Sequence, residues 1–489
     1  MLKQFIAGKA LACKNGRITA PTLTHTITPD EIMISLRFAS IALPIALLGG
    51  TSAAWAQQAP NAVDEAIAQD EAFDDAFGDV SVVSKPVVQD LAASQSFSPD
   101  PIMPWPLADA KALLGTIRGI GAHGLIPADY MPGELEAAIA TGEGAALNEV
   151  ASRAFRFLVE DMRDGRTPVK ARVQWFAEDP DMDRMPTETL MAEALGSHDI
   201  AGTIEGLAPS HPDYAALQGA LAATPKAQKE RRALIQANMD RWRWLARDLG
   251  TAYLITNVPE FQLRLVVRDK NIRTYKTVVG KPGRTATPQL AETVSAVVFN
   301  PTWTVPQSIV KGEGLGAKVL GNPGWARANG YSATKGANGW VSVVQQPGPG
   351  NALGLMKIDM PNKHAIYFHD TPAKSYFNHD VRAYSHGCIR TERAVELGMT
   401  IAMLGAGLDA SEASAISASR EYTKVDMTRT FPAYITYMTF ARGIDGQLKK
   451  FGDIYGRDKP VLDSFAQPRQ AKTAQRVSDE AIIQLDNPL

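Results

Sequence analysis

Ser385-His386-Gly387-Cys388-Ile389-Arg390 decides how this 489-residue chain is read, because it holds one of only two cysteines. The other, Cys13, precedes an export signal, so Cys388 is the only thiol expected in the exported chain. Oxidising compartments favour paired cysteines or none, and a lone thiol kept there is best explained as a nucleophile. Four of the eight histidines, His364, His369, His379 and His386, fall within the 23 residues 364–386. A thiol attacks as its thiolate, so the site needs a base or a lowered thiol pKa. One histidine is expected to take the proton and to stabilise an imidazolium–thiolate pair. A helix predicted to start near Thr391 would place its N-terminal dipole beside Cys388. Gly387 presents no side chain, which lets the amides of Gly387 and Cys388 approach a substrate carbonyl and hold its oxyanion.

The export signal starts at Met33. Arg37 is its basic residue, Phe38 to Leu48 its apolar core, and Ala54-Trp55-Ala56 its small-x-small cleavage site before Gln57. That core is too short to span a bilayer, and no later stretch reaches the ~18 apolar residues a span requires. The mature chain is therefore expected to be soluble and periplasmic, with no membrane span left after signal removal. Residues 1–56 carry five basic and two acidic side chains, so their removal takes the formal charge from −2 to −5. Without a basic stripe, a nucleic-acid partner is not expected.

Residues 57–100 are acidic, alanine-rich and hold a single lysine, the composition of a disordered tether. Residues 101–250 read as a helical scaffold domain. Phe155, Leu158, Val159 and Met162 recur at helical spacing, and Gly165-Arg166-Thr167-Pro168 ends that helix. From residue 251 the texture becomes alternating and β-branched: AYLITNV, FQLRLVV and NIRTYKTVVG predict strands, as do Ser295–Phe299, Trp340–Val344, Leu355–Ile358, Ala365–Phe368 and a late strand from Pro432. The mainly β domain covers 251–440. It contains a glycine- and aromatic-rich lid insert at about 304–346, followed by a C-terminal extension at 441–463 and a loose tail at 464–489.

Ser385-His386-Gly387-Cys388, with His369 sixteen residues ahead of Ser385, resembles the active-site signature of the L,D-transpeptidases, the YkuD-domain enzymes. Asn300-Pro301-Thr302-Trp303-Thr304-Val305-Pro306, Gly348–Gly354 and Ile366–Pro372 resemble the large, YcbB-like Gram-negative branch of that family, as do His123–Tyr130 and Asp164-Gly165-Arg166 in the helical half. The resemblance implies an α+β multidomain protein, a helical scaffold domain followed by a mainly β YkuD-type catalytic domain with a capping insert. Cys388 would be the nucleophile and His369 the general base, oriented by the backbone carbonyl of Asp370. Ser385 and His386 would support the cysteine loop, and the Gly387 and Cys388 amides would be the oxyanion donors. Arg390 stands where many members have Asn, and would orient either the site or a substrate carboxylate. Implied partners are peptidoglycan stem peptides as donor and acceptor, an outer-membrane protein as a further acceptor, and carbapenems as covalent inhibitors. No metal or cofactor is needed for acyl transfer of this kind. The chain departs from the large branch in one respect: Leu217 to about Ala237 is too short a joint to hold a peptidoglycan-binding module.

Simpler readings stand beside these. Cys388 with His369, His379 and His386 forms a possible zinc set, although the spacing fits no common arrangement. His364 and His379 read as packing or surface residues. Asn351 suits either a groove or a turn, and Trp325, Tyr331 and Trp340 suit hydrophobic packing better than a lid lining.

Overall fold

The computed structural model describes residues 101–470 together with Lys472, Ile483, Leu485 and Asn487. The export signal, Cys13, the tether at 57–100 and most of the tail lie outside the described residues.

The first half is helical. Helices Leu107–Gly119, Pro132–Thr141, Ala145–Asp164 and Thr187–Ser197 share one core around Trp105, Leu113, Ile117 and Tyr130. The apolar stripe at Phe155, Leu158, Val159 and Met162 is fully buried in it. The helix begins at Ala145, ten residues ahead of that stripe, and stops where Gly165 turns to φ +78°. A Cβ at Gly165 would also lie 2.5 Å from the Trp244 indole nitrogen, so only glycine fits. The chain past this break is held by Asp240, which is fully buried. Its carboxylate accepts the Arg166 amide at 2.7 Å, the Thr167 amide at 2.9 Å and the Trp244 indole N–H at 3.2 Å. Burial alone would raise the Asp240 pKa, but Arg243 and these donors outweigh it and hold the carboxyl below its usual range.

The second half is built on one curled sheet. Its strands are β1 (Ala252–Asn257), β2 (Gln262–Val267), β3 (Lys270–Gly280), β4 (Leu290–Thr293), β5 (Ala296–Phe299), β9 (Met356–Asp359), β10 (Phe368–His369), β11 (Ala383–Ser385), β12 (Ile389–Thr391), β13 (Thr423–Asp426) and β14 (Pro432–Thr436). The order is β13-β5-β9-β10-β12-β3-β2-β1-β14-β4, with β11 against β3. Parallel pairing occurs at β1–β14, β10–β12 and β3–β11, and the other neighbours run antiparallel. The strand expected at Ala365–Phe368 begins only at Phe368, because Ala365 sits at φ +54° and breaks the extended run.

The capping insert is a small unit of its own. Strands β6 (Trp303–Thr304), β7 (Tyr331–Lys335) and β8 (Val341–Gln345) form a separate sheet in the order β6-β8-β7. Three short helices between Gln307 and Ala328 close over it around Val305, Val310, Val319, Ala326 and Val343. Trp325 stacks on Tyr331 with centroids 5.5 Å apart beside this core, whereas Trp340 is 48% exposed.

Within the stretch 464–489 that the sequence reading left loose, the described residues 464–470 and Lys472 are tied to the scaffold half. Arg166 donates to the carbonyls of Ser464 (2.7 Å) and Gln467 (2.8 Å). Arg469 donates to Asp161 at 2.9 Å and to Glu160 at 2.6 Å, and Lys472 to the Glu160 carbonyl. The segment is polar and aperiodic because it has no core of its own, yet its cations find carboxylates on the helix Ala145–Asp164. Asp161 is fully buried, so losing its guanidinium partner leaves a charge in a poor solvent. Arg469→Ala is therefore expected to lower stability by about 3 kcal/mol in chemical denaturation. A change below about 0.5 kcal/mol would mean that the strap does not hold the helix.

Candidate active site

The site follows from one strand pairing. In the parallel ladder β10–β12, Phe368 sits opposite Ile389 and His369 opposite Arg390. The Ile389 amide donates to the Tyr367 carbonyl at 3.1 Å, which carries the register back to Tyr367 and Cys388. Phe368 and Ile389 are fully buried on the core face. Side chains alternate along a strand, so Tyr367 and His369 share the other face with Cys388 and Arg390. Cys388 lies across from Tyr367 and diagonally from His369.

The bend before Cys388 is fixed by hydrogen bonds. Ser385 Oγ donates to the Cys388 carbonyl at 2.5 Å and accepts the Gly387 amide at 3.2 Å. The Gly387 carbonyl accepts from Thr287 Oγ1 at 2.8 Å, and Thr287 Oγ1 accepts the Gly280 amide at 2.9 Å. His386 is half-buried in the bend between Ser385 and Gly387. Gly387 has φ +117°, and a Cβ there would stand 3.1 Å from Ile366 Cδ1. In this structure the Gly387 N–H is held by Ser385 Oγ, and the positive φ at this position requires glycine.

His369 is 6% exposed, and its Nδ1–H donates to the Asp370 carbonyl at 2.5 Å. That bond fixes the tautomer and leaves Nε2 with its lone pair. The Asp370 carboxylate turns the other way, accepting the Leu355 amide at 3.0 Å and the Lys374 ammonium. Burial first, then Arg390, pushes the His369 imidazolium down to about 3. The Cys388 side chain is half-exposed by area but closely surrounded, and burial pushes its thiol above its ordinary value. Hydrogen bonds from the Tyr367 amide and phenol oppose that rise, followed by Lys357 and Arg390. The resting site thus pairs a neutral imidazole with a neutral thiol, where the sequence reading expected an ion pair. Three cations, Arg390, Lys357 and Lys374, act on the ring, and a further positive charge on it is unfavourable.

The expected helix dipole is also displaced. Ile389 and Thr391 continue as β12, and the helix starts at Ala394 after Arg393 takes φ +50°. The β-branched residues prefer the ladder with β10 and β3, so the helix end lies a strand away from the sulfur.

Tyr367 was missed in the sequence. Its phenol meets both the Cys388 sulfur and the Trp303 indole, and burial raises its pKa well above normal. Lys357 Nζ lies 4.3 Å from its ring centroid. The available signal was position: two residues before His369 on a strand is the same face. Arg390 shares that face, its guanidinium 5.6 Å from the Tyr376 ring centroid. His364 packs at a tilt against Phe176, centroids 4.2 Å apart, and His379 is exposed and bonded to the Tyr384 hydroxyl at 2.8 Å. Asn351 is buried at the base of the insert, its amide donating to the carbonyls of Pro301, Gln345 and Gln346. It is a knot in the chain. Among the described residues, no three His, Cys, Asp or Glu side chains converge as metal ligands.

A nucleophile, a base with a fixed tautomer and a hydroxyl donor on one sheet face suit nucleophilic acyl transfer. The neutral resting pair has a test. Alkylation of Cys388 by iodoacetamide should climb about tenfold per pH unit from about pH 6 to about pH 9, since thiolate is generated only as pH rises. An imidazolium–thiolate pair would instead give a plateau across that range. Tyr367→Phe removes a donor to the thiolate and should slow alkylation at a fixed pH near 8 by about tenfold. An unchanged rate would show that the phenol does not act on the sulfur.

Comparison with known proteins bears on the same residues. Residues 251–400 match the YkuD family, the L,D-transpeptidase catalytic domain, and residues 105–221 match the Scaffold domain family, together more than half of the chain. A Haemophilus influenzae protein named "Putative L,D-transpeptidase" is 29% identical over 223 residues, which is 42% of this chain and 45% of that protein. The match therefore spans less than half the length of that relative. Solved structures that share similarity include an L,D-transpeptidase from Mycobacterium smegmatis (13% identity, 38% of this chain and 59% of that one, TM-score 0.20). Another is L,D-transpeptidase 3 from Mycobacterium tuberculosis with a faropenem-derived adduct (11%, 38% and 60%, TM-score 0.20). Those superpositions are too loose to carry residue roles across. A helical Scaffold domain at 105–221 thus precedes an L,D-transpeptidase catalytic domain of the YkuD family at 251–400, and the latter bears Cys388 and His369.

Proposed function

We propose that this protein is a periplasmic peptidoglycan L,D-transpeptidase that forms 3→3 crosslinks through a thioester on Cys388. The observation that supports this most is the β10–β12 register, which sets Cys388 and His369 on one face with the His369 tautomer fixed by Asp370.

The reaction runs in two halves. His369 Nε2 takes the thiol proton, and the sulfur attacks the carbonyl of the third stem residue, diaminopimelate. The tetrahedral oxyanion collapses, the bond to the terminal D-alanine breaks, and His369 returns the proton to the departing amine. The enzyme is left as an acyl thioester. The side-chain amine of diaminopimelate on a neighbouring stem then attacks that thioester, His369 removes a proton from it, and the thiol is restored as the new amide forms. Tyr367, whose phenol meets the sulfur, adds a hydroxyl donor toward the developing charge. Lys357 and Arg390 give the face a positive potential that suits the carboxylates of stem peptides.

Intact-mass analysis with a carbapenem should give one covalent adduct on the wild type and none on Cys388→Ala. Absence of a wild-type adduct, or survival of the adduct in Cys388→Ala, would overturn the assignment. Muropeptide profiling of a deletion strain reads the acceptor. Loss of 3→3 dimers supports the crosslinking reaction. Loss of trimmed stems would point to water as acceptor, an L,D-carboxypeptidase, and loss of protein-linked stems to attachment of an outer-membrane protein. No change in any of the three would leave a wall-binding scaffold without catalysis.

A further inference from the structure

The nearest hydrogen-bond acceptor given to the Cys388 thiol is the main-chain carbonyl of Ala365, 3.5 Å from Sγ, and no side chain supplies it. That carbonyl does not belong to a regular strand. Ala365 stands at φ +54°, a conformation that residues with a Cβ rarely adopt and that survives only where the surroundings over-determine it.

The surroundings do so through one side chain. Asn362 Oδ1 accepts the amides of His364 and Ile366, each at 3.1 Å. Its Nδ2 donates to the carbonyls of Met360 and Ile366, each at 2.7 Å. The Ala365 amide closes the turn onto the Asn362 carbonyl at 3.2 Å. Both donors and both acceptor sites of the Asn362 amide are thus used within five residues. The loop is held from outside as well. His364 packs at a 33° tilt against Phe176, which comes from the scaffold half. The Phe176 amide in turn donates to the Gln289 carbonyl of the catalytic half at 2.8 Å. Ile366, the next residue, lies under Gly387 beside the nucleophile.

We propose that Asn362 is a positioning residue: it folds residues 360–366 so that the Ala365 carbonyl holds the Cys388 thiol proton in the resting enzyme, away from His369. The inference rests on Cys388 being the nucleophile of the reaction proposed above. A carbonyl oxygen facing the sulfur favours S–H and disfavours S⁻, so the nucleophile waits in its protonated form. Activation is then a rotation of the S–H from Ala365 O toward His369 Nε2, made when a substrate carbonyl occupies the face. The Phe176–His364 contact ties this resting arrangement to the scaffold half.

The test compares the full-length wild type with Asn362→Ala and Phe176→Ala. Iodoacetamide alkylation of the Cys388 peptide is followed by mass spectrometry across a pH series, and the S–H stretch is read by Raman difference against Cys388→Ala. Loss of the held carbonyl should lower the pH midpoint of alkylation. Alkylation near pH 7 should rise about tenfold in Asn362→Ala and about threefold in Phe176→Ala, since one pH unit of midpoint is a factor of ten in thiolate. The S–H band should move toward the frequency of an unbonded thiol. An unchanged midpoint and band in both variants, even with a lower melting temperature, would overturn the proposal and leave Asn362 as a structural residue only. Phe176→Ala leaves the internal hydrogen bonds of the loop intact, so it supplies the answer if Asn362→Ala fails to fold. If wild-type protein forms no carbapenem adduct, the nucleophile reading fails instead. A normal adduct with unmoved midpoints sinks the loop role alone.

Discussion

Two parallel residue pairs, Phe368 with Ile389 and His369 with Arg390, constrain everything chemical in this protein. A slip of one residue would turn Cys388 and His369 into the core and bring Phe368 and Ile389 out to solvent. The register is protected because Phe368 and Ile389 are wholly buried, and because β12 is also paired on its other side with β3. The hydrophobic core thus fixes the geometry of the polar face, and Cys388 packs against it. The bend ahead of Cys388 hangs from the same frame through Ser385 and Thr287.

Much of this was legible in the sequence. Cys388 and His369 stood out through a lone thiol and clustered histidines, and the long strands β1, β2 and β3 through alternation of β-branched residues. What escaped was whatever depends on contacts between distant segments. Tyr367 could have been found from strand periodicity alone, but its meeting with Trp303 requires the insert to fold back. Helix onset at Ala394 instead of Thr391 was hidden because Ile389 and Thr391 pair with partners far along the chain. The fate of the Gly387 amide was equally invisible, since a glycine beside a nucleophile reads the same whether its N–H faces substrate or Ser385. The tail misled because low hydrophobicity argues for disorder only when no buried carboxylate awaits its cations.

Electrostatics in the site oppose one another in a consistent way. Crowding pushes the thiol up and the imidazolium down, and both effects favour neutral partners at rest. The groups that favour the thiolate, Tyr367, Lys357 and Arg390, are therefore set against a burial penalty instead of adding to a preformed charge. The insert has its own small core, and its Trp303 reaches the Tyr367 phenol, so it touches that balance from outside the main sheet.

The C-terminal strap has a consequence for the order in which the molecule is completed. Chains emerge from synthesis and from secretion with the N-terminus leading, so the helix Ala145–Asp164 is available long before its last partners. Asp161 is fully buried in the finished fold, and the cations given to it, Arg469 and Lys472, come from the far end of the polypeptide. Until those residues arrive, the carboxylate has every reason to stay hydrated and the helix to remain loosely seated. Closure of the scaffold is therefore a terminal event, and a chain cut short by nonsense or proteolysis is marked by an open acidic seam.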